Sequence, residues 1–182
     1  MKDHGKILIG DVAFGTREEL NRCKAECGDE WNDDEVYCVA DELGFVRAKM
    51  EIKEYKDYKE AEIRRLYTEV GWTAYIENMP ALEQGYKNSL LVLAAYESDE
   101  LLGIIRVVGD GFTIVFVQDI LVFPKEQRKG VGTALLKAVL DRYPDVRQIE
   151  LTTDNTPKTV AFYKSLGFSE FSEIGCSGFM RC

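Results

Sequence analysis

The feature that most constrains this chain is a change of period between residues 89 and 152. Three apolar runs of strand length, 89–97, 101–108 and 112–122, are joined by the short polar turns Ser98-Asp99-Glu100 and Gly109-Asp110-Gly111. Connections this short allow only antiparallel neighbours. The next strand-like run, 148–152, is separated from the third by a helical pattern in which Val131, Leu135, Val139 and Leu140 share one face. A strand, helix, strand passage of that length brings the chain back parallel to itself. Together the two demands predict an α/β (α+β) chain with a mixed, mainly antiparallel central sheet.

The flanking segments extend this pattern. Residues 50–55 read as a strand and 57–70 as a helix, in which Ile63, Leu66, Tyr67 and Val70 recur at helical spacing and Gly71 is the stop. A second helix covers 79–88. Asn155-Thr156-Pro157 supplies a capping residue and a proline for a helix over 158–166, which Gly167 closes. The tail, 170–181, reads as a final hairpin around Gly175 to Gly178. The expectation is a sheet of about seven strands flanked by about four helices, with residues 49–182 forming the main domain. Residues 1–48 form a small N-terminal extension, in which Thr16 and Glu19 have the capping-box spacing. The extension reads as a strand and helix packed on the main domain, with a homodimer contact or a partner-binding module as the alternatives.

Composition then removes several chemistries. A length of 182 residues suits one domain with an appendage. The net charge of −9 repels a phosphate backbone, so no nucleic-acid partner is expected. Apolar runs stay far below the roughly 20 residues of a membrane span, and the N-terminus lacks the apolar core of a secretory signal. No membrane partner and a cytoplasmic location are expected. The five cysteines, Cys23, Cys27, Cys38, Cys176 and Cys182, are odd in number and lack paired Cys-x-x-Cys spacing, so free thiols and no metal are expected. With His4 as the single histidine, a Ser-His or Cys-His hydrolase and a multi-His metal site are disfavoured.

The chemical centre is the run Gln127-Arg128-Lys129-Gly130-Val131-Gly132, which stands between a strand and a helix. Glycines there let an acceptor approach the main chain, and the helix N-terminus adds backbone N–H groups and partial positive charge. A phosphate cradle and a plain tight turn both fit two glycines alone. The run lacks the Gly-Lys-Ser/Thr ending of a P-loop, and Leu135 stands where a dinucleotide fingerprint needs its third small residue.

This run, preceded by Ile120-Leu121-Val122-Phe123-Pro124 and followed by Asn155, Phe162-Tyr163 and Gly167-Phe168, resembles the GNAT superfamily of acyl-CoA-dependent N-acyltransferases over about residues 50–182. The resemblance implies acetyl-CoA as co-substrate. It implies that the pyrophosphate lies on the backbone N–H groups of Arg128, Lys129, Gly130, Val131, Gly132 and Thr133, next to Gln127, and that the pantetheine arm runs beside Ile120, Leu121 and Val122. It further implies that Asn155 bonds that arm, that a bulge splays the central strand from the strand at 148–152, and that Tyr163 gives a proton to the departing thiolate. Trp72, Tyr75 and Gln118 are implied on the acceptor side.

The reaction so implied is transfer of an acetyl group to a primary amine of a small molecule or peptide within a ternary complex. A lysine-like amine is almost wholly protonated at pH 7, and freeing its lone pair costs roughly 4 to 5 kcal/mol. The residues that carry a base in some relatives are Phe116 and Gln118 here, so deprotonation through water is expected, with Asp119 turned to the other face. Two other readings stay open: a CoA-binding sensor or interaction module that has lost turnover, and a nucleotide-binding regulator using the same loop.

Overall fold

The computed structural model describes residues 50–181 together with two short paired strands, β1 (Ala13–Phe14) and β2 (Tyr37–Cys38), which run parallel. The remainder of the N-terminal extension, with His4, Cys23 and Cys27, lies outside the described residues. The main sheet has five strands in the order β3 (Glu51–Glu54), β4 (Leu91–Glu97), β5 (Glu100–Gly109), β6 (Ile114–Val122) and β7 (Gln148–Leu151). β3 to β6 are antiparallel throughout, and β6 and β7 are parallel. Mixed topology therefore follows from loop length, as the sequence predicts.

Local chemistry sets the boundaries. Ser98 and Asp99 both take positive φ, 47° and 69°, which matches the twist of a two-residue hairpin and starts β5 at Glu100. At the next turn the Asp110 carboxylate accepts the N–H groups of Phe112, Thr113 and Ile114 at 2.8, 2.7 and 3.1 Å. The Thr113 hydroxyl, donating to Asp110 Oδ2 at 2.6 Å, and these backbone bonds favour its ionised form and hold its pKa well below the usual carboxylate range.

Five α-helices flank the sheet among the described residues: α1 (Glu60–Glu69), α2 (Thr73–Ile76), α3 (Met79–Lys87), α4 (Val131–Arg142) and α5 (Pro157–Ser165). α1 buries Ile63, Leu66 and Tyr67, and α3 buries Met79, Leu82 and Tyr86, both at helical spacing. These two helices pack with Ala94, Ile104, Leu121 and Phe123 on one sheet face. On the other face Leu135, Leu136 and Val139 of α4 pack with Ile105, Val107, Val115 and Val117, beside Tyr163 of α5. The sheet is thus covered on both faces.

Two expectations are corrected. Among the described residues the main sheet holds five strands rather than about seven, because the tail at 170–181 does not form the expected hairpin. Its backbone closes local turns instead: Glu173 N–H donates to Glu170 O at 2.9 Å and Cys176 N–H to Phe171 O at 2.7 Å. Lys164 reaches both Glu170 and Glu173, which fixes those turns against α5. The helix beyond the expected four is α2, a single turn after Gly71. No helix among the described residues is long and apolar enough to cross a membrane.

Candidate active site

The sheet forks where β6 and β7 part company. Their pairing covers four residues, from Ile114↔Gln148 to Val117↔Leu151; β7 ends there, and β6 runs on to Val122. At the same point β6 is bulged. Val107 of β5 faces Val117 and Arg106 faces Asp119, so Gln118 is an extra residue. The extra residue reverses the alternation. Val115 and Val117 point to the α4 face before it, whereas Asp119 and Leu121 point to the α1 face and Ile120 and Val122 to the α4 face after it.

Backbone direction follows the same parity. Phe123 N–H donates to Leu102 O at 3.0 Å, so strand alternation turns the N–H and C=O of Val122 to the opposite edge, into the fork. There Val122 O accepts from Gln127 Nε2 at 3.2 Å. Gln127 thereby ties the loop after β6 to the strand end.

That loop delivers a helix N-terminus to the fork. A short 3-10 turn, Pro124–Glu126, leads through extended Gln127 and through Arg128 at φ 59° to Gly130 at φ 79°. Gly130 is the N-cap of α4 and makes no side-chain cap. Ala134 N–H, bonded to Gly130 O at 2.9 Å, is the first to find a carbonyl in the helix, so those of Val131, Gly132 and Thr133 form the dipole's positive end. A Cβ added at Gly132 would lie 3.7 Å from Phe162 Cζ, 3.8 Å from Val122 Cγ2 and 3.9 Å from Ile120 Cδ1, all in the fork. The missing side chain leaves the main chain open to a ligand there.

α5 forms the opposite wall. Thr156 caps it by accepting Thr159 N–H at 3.2 Å, and Pro157 occupies the first turn. Lys158, Thr159, Phe162 and Tyr163 line the cleft from this helix. Tyr163 is 9% exposed, and burial pushes its phenol pKa up against a hydrogen bond with Thr153. At another point of the cleft Trp72, 39% exposed, stacks on Tyr75 with centroids 5.7 Å apart.

The result is one cleft of about 440 Å³ that brings together Trp72, Gln118, Ile120, Val122, Gln127, Arg128, Gly130, Val131, Gly132, Thr133 and Tyr163 from the sequence reading. Four other expected residues lie outside its lining. Leu121 is in the core of the opposite face; Lys129 pairs with Glu126 at 3.2 Å; Tyr75 stands behind Trp72; and Asn155 faces a neighbouring groove of about 910 Å³ beyond Tyr163. The structure adds Val117, Thr152, Thr153, Asp154, Lys158, Thr159 and Phe162. The capping signal at Thr156-Pro157 could have located Lys158 and Thr159, since it fixes where α5 begins. Among the described residues no group of three or more His, Cys, Asp or Glu side chains is placed to hold a metal ion.

Comparison with known proteins agrees with this architecture. A GNAT-family acetyltransferase from Streptococcus pneumoniae TIGR4 superposes with a TM-score of 0.67 at 38% identity, covering 74% of this chain and 98% of that one. The ribosomal-protein-S18-alanine N-acetyltransferase from Escherichia coli shares the fold alone, with a TM-score of 0.56 at 17% identity over 67% of this chain and 79% of that one. Among curated relatives, the UPF0157 protein YqkA of Bacillus subtilis (strain 168) is 32% identical over 135 residues, 66% of this chain and 39% of that protein. The uncharacterized N-acetyltransferase ycf52 of Gracilaria tenuistipitata var. liui is 28% identical over 113 residues, 59% of this chain and 60% of that one. The chain therefore spans less than two thirds of the length of these curated relatives. A family model described as an acetyltransferase (GNAT) domain matches residues 54–180, and the chain belongs to the GNAT acetyltransferase family.

Proposed function

We propose that this protein is an N-acetyltransferase that passes the acetyl group of acetyl-CoA directly to a primary amine of a small molecule or peptide. One observation carries the reading: the forked edge of β6 and the side-chain-free N-terminus of α4 open into the same cleft. The first offers a strand edge for an amide-bearing arm, the second a set of N–H groups for a diphosphate. Room for both follows from Gly132, whose added Cβ would fall between Ile120, Val122 and Phe162.

When bound, acetyl-CoA supplies an activated acyl group on a thioester. The chain's own residues supply positioning and charge stabilisation. Val122 N–H, turned into the fork, donates to the oxygen that gains negative charge during attack. Tyr163 holds a proton on its phenol, kept there by burial, for the departing thiolate. Gln118 presents an amide at the bulge and cannot take the proton of the incoming ammonium, so that proton leaves through water. Trp72 forms the wall against which the acceptor rests.

Thermal melting across a CoA series tests binding, and release of free thiol from acetyl-CoA across a panel of primary amines, with mass spectrometry of the products, tests turnover. No melting shift at millimolar CoA would sink the reading. A shift without thiol release from any amine would instead favour a CoA-binding module on the same fold.

A further inference from the structure

We infer that the buried Arg106–Asp119 pair, braced by Tyr67, locks the register of β6 and so decides which of its residues face the cleft. The inference rests on the CoA-binding reading above and assigns positioning residues to it. Asp119 is 1% exposed and Arg106 7%. They are direct cross-strand partners at the first paired position after the bulge. Arg106 Nε donates to Asp119 Oδ2, which also accepts from Tyr67 Oη at 2.8 Å; Tyr86 Oη donates to Tyr67 Oη at 3.4 Å. Gly85 leaves room for the guanidinium, since a Cβ there would lie 3.3 Å from Arg106 Nη1. Two helices and two strands are thus joined at the point where the sheet forks.

As a source of stability the pair is poorly built. Both charges are out of water, and Asp119 Oδ1 is buried without a hydrogen-bond partner. Such pairs often contribute no more than an apolar replacement would. Their effect on register is different in kind. Without the bulge, Gln118 would face Arg106 and Asp119 would face Ile105, a shift of one residue that reverses every later side chain. The Asp119 carboxylate would then enter the apolar cluster of Ile105, Val107 and Val117, away from its cation. Ile120 and Val122 would leave the cleft, and the N–H of Val122 would turn toward β5. The charge pair therefore excludes the flat strand that hydrophobic pattern alone would accept.

The test is a double replacement, Arg106→Met with Asp119→Leu, which makes both registers compatible with the core. The expected result is a melting temperature at or above that of the wild type with a CoA dissociation constant at least tenfold weaker, since only the fraction holding the bulge binds. Arg106→Lys, which keeps a cation beside Asp119, is expected to retain CoA affinity within about threefold. A folded double variant that binds CoA as the wild type does overturns the inference. Should the double variant not fold, Asp119→Asn carries the test at a temperature where it is still folded: its melting falls because Arg106 is left buried without its counter-charge, weaker CoA binding by the folded variant supports the lock, and unchanged binding overturns it. Wild-type protein that fails to bind CoA would remove the underlying reading, an outcome distinct from equal binding by wild type and variant.

Discussion

Replacing Gly132 by alanine should move stability and cofactor affinity in opposite directions. The added Cβ meets Phe162, Val122 and Ile120 at 3.7 to 3.9 Å, which is ordinary contact, so the apo fold accepts it. Alanine is about 0.5–1 kcal/mol better than glycine in a helix, which at roughly 2–4 °C per kcal/mol for a chain of this size raises the apo melting temperature by about 1–4 °C. The same methyl group occupies the space through which the proposed diphosphate would reach the N–H groups of α4. Losing one charge-assisted hydrogen bond costs about 1.5–3 kcal/mol, or roughly 10- to 150-fold in affinity. At a CoA concentration 100 times the wild-type dissociation constant, ligand stabilisation then falls from about 2.7 kcal/mol to about 0.3–1.3 kcal/mol. Differential scanning fluorimetry with and without CoA reads both effects. Gly132→Leu extends the series to no detectable shift. An alanine variant with the full CoA shift would refute the placement of the diphosphate on this helix.

Four further outcomes are expected. Tyr163→Phe should lower kcat by about 10²-fold while CoA affinity stays within twofold, because in the proposed reaction the phenol acts on the leaving group; parallel loss of binding would contradict that role. Burial raises the Tyr163 pKa, so its donor form persists past the ordinary tyrosine value, and the alkaline limb of kcat should have its midpoint above pH 10. The linked stability has the same sign: it is complete below about pH 10 and is lost as pH rises through the folded-state value. A limb at or below pH 10 that Tyr163→Phe abolishes would refute this. Arg128 and Lys158 line facing walls of the cleft, and alanine at either should weaken CoA and flatten the dependence of its affinity on salt; unchanged salt dependence in both counts against a phosphate at that end. Trp72→Ala should raise KM for the acceptor amine more than KM for acetyl-CoA, as a two-substrate matrix would show.

Much of the fold was legible because the chain punctuates itself. Apolar runs of strand length broken by Ser98-Asp99 and Gly109-Asp110-Gly111 leave only a meander, and Gly130 with Thr156-Pro157 mark two helix starts. The glycine-bearing wall of the cleft was legible for the same reason, since Gly130 and Gly132 lie at one of those marks. The bulge at Gln118 left no such trace in composition. Burial alternates without interruption from Ile114 to Val122, and because both faces of the sheet are covered, Val117, Asp119 and Leu121 look like one stripe although they point to different faces. α2 was missed because it is one turn with no capping side chain. The tail misled because Gly175 and Gly178 resemble a hairpin turn, whereas Lys164 and the turn bonds around Glu173 satisfy that backbone locally.

The two border strands carry a consequence for how this protein behaves at high concentration. Among the described residues the five-stranded sheet ends in β3 and β7, each four residues long, and both carry ionic side chains: Glu51, Lys53 and Glu54 on one, Glu150 on the other. Short, charged margins are poor templates for a foreign strand, so they resist ladder growth from molecule to molecule. Valine at Glu51 and Lys53 would leave the interior intact and turn an inert margin into an adhesive one, visible as self-association in light scattering long before any loss of fold.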